Sequence, residues 1–257
     1  MSLKLCSLSS GSRGNCIIVA SDTTTLLIDA GIAVSQIING LKLLKLENPS
    51  VLITHSHSDH VANLPALSKK FSPKIYCHKD SLYAVNKYIC GGDLMGVDSD
   101  FEVGDLKITP FKVSHDVPCV GYSIYNDGRK ISIVTDTGCA DDRIETALSG
   151  SDIVLIEANH DVEMVRCNRN YPEALKKRIL SDKGHLSNEA CGELLGRIVK
   201  SGVKQVVLGH MSKDNNRPHL AFEAVSKQLE RAGMKVGQDV GVALAYCGRT
   251  SNVFEVN

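Results

Sequence analysis

Tryptophan is missing from this 257-residue chain, and aromatic residues make up only 5% of it. Extended stacking platforms for unpaired bases are therefore not evident. Net charge is missing as well, because 29 basic and 29 acidic residues cancel. Such a surface offers no general attraction for nucleic acid or anionic lipid, so a polyanionic substrate has to be gripped locally. No segment approaches the roughly 18 consecutive apolar residues that suggest a membrane span. Residues 1–5 lack the apolar stretch of a signal peptide. Cysteine is not scarce, with nine at 6, 16, 77, 90, 119, 139, 167, 191 and 247, but C-x-x-C is absent. An odd, scattered set argues against a disulfide framework and reads as reduced, mostly buried thiols of a cytoplasmic protein. Low-complexity segments, long linkers and obvious fixed-period repeats are also missing.

What is present suffices for a sizeable core: 43% of residues are hydrophobic, in a length that fits one large domain or two small ones. Short apolar runs predict strands over 3–7, 16–20 and 25–29, the first two joined by a Gly/Ser turn at 9–15. Apolar residues at 34, 37, 38, 41 and 44 predict an amphipathic helix over 34–46. A strand over 51–54 follows, then helices over 61–71 and 79–89 around a strand at 74–77. Strands are expected again at 101–103, 106–113 and 120–125. Asn126-Asp127-Gly128 is a hairpin signal leading into a strand at 130–135. A helix at 141–149 and a strand at 152–156 come next. Helices over 173–180, 188–200 and 218–232 then alternate with strands over 204–208 and 240–245. Periodicity alone supports a mixed α/β (α+β) protein; the order of elements suggests two mixed sheets face to face with helices outside, a four-layer αββα sandwich.

The densest chemistry lies at His55-Ser56-His57-Ser58-Asp59-His60, just after the apolar run Val51-Leu52-Ile53. His55 and His57 are two apart and leave the same face of an extended chain. Asp59 and His60 follow where a helix should begin. One metal could be held by the first pair and a second by Asp59 and His60. Imidazole and carboxylate suit zinc, manganese or iron, and the lack of thiolate argues against a closed structural zinc site. A solvated histidine-rich loop is the ordinary alternative. Further ligands should lie at other strand ends, and His115, Asp136 and His210 each stand where an apolar strand stops. An aspartate can also bridge two cations, one oxygen to each.

These segments resemble the metallo-β-lactamase superfamily, and within it the compact YycJ/WalJ-like group of bacterial hydrolases. The resemblance extends over nearly the whole chain. It rests on the 9–15 turn, Leu27-Ile-Asp-Ala-Gly31, the His55 to His60 motif and Val134-Thr-Asp-Thr-Gly138. It rests further on Ile156-Glu-Ala-Asn-His-Asp161, Asp182-Lys-Gly-His-Leu-Ser-Asn-Glu189 and Leu208-Gly-His-Met-Ser-Lys-Asp-Asn215. It implies the metallo-β-lactamase fold as a single domain over 1–257, with no added substrate domain. It implies two divalent ions: one on His55, His57 and His115, the other on Asp59, His60 and His210, with Asp136 bridging. Asp29 takes the superfamily's early, structural aspartate position. Ion pairs of this kind lower the pKa of a shared water towards neutrality, and the resulting hydroxide is a nucleophile.

His185 stands before the helix that Ser187 or Asn188 can cap, where free N–H groups could meet an anion. Similarity to ribonuclease Z-type enzymes implies that His185 contacts the scissile phosphate or protonates the leaving oxygen, oriented by Glu157. Asp59, His185 and Glu157 are thus the catalytic candidates. The alternatives are a satisfied loop histidine and a helix-start carboxylate near Asn159. Ser12 and Arg13 of the glycine turn, with Ser187, Asn188 and Ser212, are candidate substrate contacts. His160 is a buried hydrogen-bonding residue or a neighbour of substrate; His78 and His219 are read as uninvolved. Neither the extra helical domain of glyoxalase II-like enzymes, the insertion of β-CASP nucleases nor the arm of ribonuclease Z enzymes is found. The group implies a 5′→3′ DNA exonuclease acting in the cytoplasm without a membrane. An RNA phosphodiesterase of the ribonuclease Z kind and a non-catalytic metal- or nucleotide-binding regulator are the alternatives.

Overall fold

A computed structural model describes residues 2–257. Its first sheet begins as an antiparallel meander: β1 (Leu3–Ser9), β2 (Cys16–Ala20) and β3 (Thr25–Ile28). Helix α1 (Val34–Leu44) then crosses to β4 (Ser50–Ile53), parallel to β3. Two short helices, α2 (Ser58–Val61) and α3 (Leu64–Phe71), lead to β5 (Lys74–His78), and α4 (Leu82–Asn86) leads to β6 (Asp93–Val97). The second sheet repeats the plan. Strands β7 (Phe101–Val103), β8 (Leu106–Lys112), β9 (Val120–Asn126) and β10 (Arg129–Val134) run antiparallel. Helix α5 (Asp142–Leu148) precedes β11 (Ile153–Glu157). Helices α6 (Val162–Cys167), α7 (Glu173–Ile179) and α8 (Asn188–Ile198) precede β12 (Gln205–Gly209). Helix α9 (Pro218–Arg231) precedes β13 (Gly241–Leu244), and β14 (Phe254–Val256) returns to pair with β1.

Strand order is β14-β1-β2-β3-β4-β5-β6 in one sheet and β13-β12-β11-β10-β9-β8-β7 in the other. Three apolar cores establish the four layers. Leu5, Val19, Leu26, Tyr122, Ile133 and Val207 pack between the sheets. Cys6, Ile18 and Leu27 meet Ile37, Leu41 and Leu67 of the first helical layer. Val154, Ile156 and Val206 meet Leu148, Leu194 and Val225 of the second. The inner strands, among them β2, β3, β4, β11 and β12, are buried on both faces, so they read as continuous apolar runs. Each fully buried large side chain contributes roughly 1.5–3 kcal/mol. Tyr122 of the second sheet also donates its hydroxyl to the Ile53 carbonyl of the first, at 2.8 Å.

The expected sandwich is present, with differences that physical chemistry explains. The helix expected over 61–71 starts at Ser58 and breaks before α3, where Pro65 sits in the first turn and lacks an N–H. The helix expected over 79–89 shrinks to a tight turn followed by α4. Strands β6 and β14 and helix α6 have no strong sequence signal: β6 is a half-exposed edge without alternation, and the other two are very short. At the hairpin, Asp127 and Gly128 both have positive φ, 45° and 75°, as a two-residue turn between β9 and β10 requires.

Candidate metal centre

The site gathers at the carboxyl ends of strands from both sheets. The 55–60 segment follows β4; His115, Asp136 and His210 follow β8, β10 and β12, and Glu157 ends β11. Asp29, Asp136 and His210 adopt left-handed backbone, with φ of 65°, 59° and 49°. Non-glycine residues rarely do so, and the conformation turns each side chain sharply off its strand.

In the first cluster, His55, His57 and His115 offer ligand atoms within 4.8 Å of one another. Their outer nitrogens are held. The Thr54 hydroxyl donates to Asp29 Oδ2 at 2.9 Å and is 3.0 Å from His55 Nδ1, which can donate to it. His115 Nδ1 donates to the Gly184 carbonyl at 3.3 Å. His57 Nε2 lies 3.3 Å from Asp116 Oδ1, and Asp116 Oδ2 pairs with Arg178 at 2.7 Å. His115 Nε2 and His57 Nδ1 face each other at 3.2 Å. Partners of this kind fix the tautomer and leave the inner nitrogen free for a metal.

In the second cluster, Asp59, His60 and His210 come together, and His60 also groups with His55 and Asp136. His60 Nδ1 donates to Asp29 Oδ2 at 2.7 Å, while Thr54 N–H donates to Asp29 Oδ1 at 2.8 Å. Asn15, which the sequence did not flag, brings Nδ2 to 3.2 Å from Asp59 Oδ2 and 2.9 Å from His60 Nε2. His210 N–H donates to Ser10 Oγ at 2.8 Å.

The donor set fits divalent cations. His55 Nε2, His210 Nε2 and Asp136 Oδ2 are buried and take part in no hydrogen bond. Buried polar atoms without partners are costly, and these three belong to the clustered ligands. Charge points the same way. Asp29, Asp59, Asp136 and Glu157 lie together, and among the described residues no lysine or arginine pairs with any of them. Burial opposes charge on Asp136, but His210 and His60 outweigh it and hold the carboxylate well below its usual range. Burial also opposes charge on His210, yet Asp136, Asp59 and Glu157 raise that imidazole to about 10. Burial, reinforced by His60, keeps His55 neutral. A proton held on His210 competes with a metal and leaves when one binds.

Glu157 is fully buried. Its Oε1 accepts from the Thr137 and Leu186 N–H groups at 2.6 and 3.1 Å. Its Oε2 faces His185 Nδ1 at 3.2 Å and His210 Nδ1 at 3.3 Å. Burial alone would raise this carboxyl; His185 and His210 bring it down to about 2. Its ionised form therefore clamps both imidazoles and leaves each Nε2 free.

A cleft of about 220 Å³ opens on this floor, lined by Ser12, His57, Asp59, His185, Arg178 and Ser212 among others. Ser187 and Asn188 do not line it. Ser187 Oγ accepts from Ala190 N–H as a helix cap, and Asn188 pairs with Asn216 at 2.9 Å in a buried amide contact. The Asn188 N–H is itself taken by the His160 carbonyl at 2.9 Å, so the start of α8 is not the anion site expected. Arg13 borders a neighbouring pocket instead. His160 is buried with Nδ1 unpartnered, and burial lowers it to about 4. Besides Asn15, sequence reasoning missed Asp116 and Arg178. Only Asp116, directly after His115, carried a local signal.

A profile of the beta-lactamase superfamily domain matches residues 24–211. The chain is 36% identical over 248 residues to exodeoxyribonuclease YycJ of Bacillus anthracis, covering 93% of each chain. It is 37% identical over 248 residues to exodeoxyribonuclease WalJ of Streptococcus pneumoniae serotype 2 (strain D39), covering 91% of each. In structure it is similar to the metallo-beta-lactamase fold protein YhfI from Bacillus subtilis, with a TM-score of 0.75, 18% identity and full coverage of both chains.

Proposed function

The chain belongs to the metallo-β-lactamase superfamily, in its YycJ/WalJ-like group, and from that premise we propose that it is a metal-dependent phosphodiester hydrolase, a 5′→3′ DNA exonuclease. In this reading residues 1–257 act as one domain in the cytoplasm. One ion would be held by His55, His57 and His115. A second would be held by Asp59, His60 and His210, with Asp136 between them; zinc or manganese suits the donors, and iron is compatible. Bound there, such ions supply Lewis acidity and a water activated near neutral pH.

The chain's own residues do the rest. His185 is 20% exposed at the cleft while its Nδ1 is tied to Glu157. Its Nε2 is thus the group positioned to give a proton to a departing alkoxide. Arg178 lines the same cleft and can meet a non-bridging phosphate oxygen. Ser12 and Ser212 offer hydroxyls beside it. Asp59 serves as ligand, and Asn15 steadies it.

The observation that carries this reading is the Glu157–His185 pair beside the ligand cluster. Metal ligands alone would suit many acyl or phosphoryl substrates, but an alkoxide leaving group calls for a placed proton donor. The test is hydrolysis of 5′-labelled duplex DNA by metal-stripped protein with zinc or manganese restored. Metal-dependent release of mononucleotides, lost in His185→Ala, is expected. Absence of DNA cleavage with either metal would overturn the substrate, and cleavage of RNA in its place would move it to the ribonuclease Z kind.

A further inference from the structure

Ser12 and Ser212 line the cleft above the ligand cluster, and both also line a second pocket of about 270 Å³. The two cavities therefore share a boundary. The apolar part of the second pocket's lining includes Met211, Pro218 and Tyr246. The lining also carries Arg13, Lys213 and Arg217, with no carboxylate among its residues. The Arg13 and Lys213 side chains have no anionic partner among the described residues. Arg217 donates through Nη1 to the Lys213 and Asn216 carbonyls, at 3.4 and 2.6 Å, which fixes its position and leaves its other donors unused. In a chain of zero formal net charge, this is a local anion-attracting patch next to an apolar wall.

We infer that this pocket seats the nucleotide adjoining the scissile phosphate. The base lies against Tyr246, Met211 and Pro218, and the outer phosphate lies among Arg13, Lys213 and Arg217. Ser12 and Ser212 mark the passage to the scissile phosphate. An apolar face with cations at its edge is the arrangement that holds a single strand without reading sequence. The volume lies just under the ~300 Å³ at which small-molecule sites begin. The inference rests on the phosphodiester reading above.

Two variants test it, Tyr246→Ala and the double change Arg13→Ala with Lys213→Ala. Each is assayed on a single-stranded deoxyoligonucleotide and on bis(p-nitrophenyl) phosphate, which has no nucleotide to place. The ratio of kcat/KM for oligonucleotide over small diester should fall about tenfold or more in both, through KM. The double variant should also show a shallower salt dependence of binding. Parallel losses on the two substrates, or no loss on either, would overturn the pocket's role. Should the wild-type protein hydrolyse neither, the phosphodiester reading fails on its own. Anisotropy of a labelled oligonucleotide titrated onto metal-stripped protein then decides the pocket: tenfold weaker binding by the variants supports it, and equal binding rejects it.

Discussion

All the hydrogen-bonding capacity of the Glu157 side chain is engaged, Oε1 by two backbone N–H groups and Oε2 by His185 and His210. Glutamine keeps the shape but can present an amide N–H to two imidazole N–H donors. That forces one ring to flip or to change tautomer. Glu157→Gln is therefore expected to lower kcat by about 10²–10⁴ and to weaken one metal by about 10–100-fold, with the fold retained. Initial rates and competition with a fluorescent chelator read the two effects; a variant that keeps both at the wild-type level would remove the orienting role. Asp116 makes a narrower case. Its Oδ1 lies 3.3 Å from both His57 Nε2 and His115 Nε2, and its Oδ2 pairs with Arg178. Asp116→Ala should weaken the ion on His55, His57 and His115 by about tenfold or more, while the other site loads as before. Uniform loading of both sites in that variant would show that His57 needs no such support.

At the scale of elements, the glycine turn between β1 and β2 is a brace for the ligand loop. Asn15 N–H donates to the Asp59 carbonyl at 2.8 Å, Gly31 N–H to the Asn15 carbonyl at 2.9 Å, and Ala30 N–H to the His60 carbonyl at 2.7 Å. A Cβ on Gly31 would fall 1.7 Å from the Asp59 oxygen. Gly31→Ala must push α2 away, at a cost of about 3 kcal/mol or more, and should lose the Asp59/His60 metal. Urea denaturation with metal stoichiometry checks it, and a normal midpoint with full loading would contradict it. The same elements show what the sequence makes legible. Candidate ligands placed where apolar strands stop are readable, since a buried strand end is where a polar residue needs a reason. The turn's bracing role is not readable, because Asn15 acts through backbone and side-chain contacts with residues distant in sequence, Gly31, Asp59 and His60. Arg178 escapes for a related reason: α7 has no buried residue to betray its packing. Ser187 and Asn188 were expected at the cleft because a helix start is an anion site in isolation. Here tertiary contacts with Asn216 and His160 consume it.

Taken as a whole, the molecule is two equivalent halves. Each sheet has three antiparallel pairings followed by three parallel ones, with β14 supplying to the first sheet the edge that β7 supplies to the second. Asp29 and Asp136 follow equivalent strands with similar φ, and His78 at the end of β5 corresponds to His210 after β12. No fixed-period repeat in the sequence reveals this correspondence. The halves are joined away from the site as well. Asp105 accepts from Ser21 Oγ at 2.7 Å and from Asn126 Nδ2 at 2.8 Å, linking the β2–β3 turn to the second sheet. Burial would raise this carboxyl, but hydrogen bonds from Thr24, Ser21 and Asn126 bring it to about 2. Its contribution is complete above the unfolded value of 3.8 and fades as pH falls through 2. The stability gap between wild type and Asp105→Asn should therefore be wide at about pH 6 and narrow at about pH 2.5 in urea titrations; a gap that widens in acid would reverse the sign. Bound metal would add a second set of links. The first sheet contributes His55, His57, Asp59 and His60, and the second contributes His115, Asp136 and His210. None of these seven is part of the three apolar cores, so the apoprotein has what it needs to fold. Chelation should then lower Tm without loss of far-UV circular dichroism. At a metal concentration about 100 times Kd the linkage is worth about 2.7 kcal/mol, or roughly 5–10 °C for a chain of this size. Hydrogen exchange should rise first at residues 54–60 and 135–139, and later in the strands. Global unfolding on chelation would instead make the ions structural, and an unchanged Tm would mean that the clusters do not load.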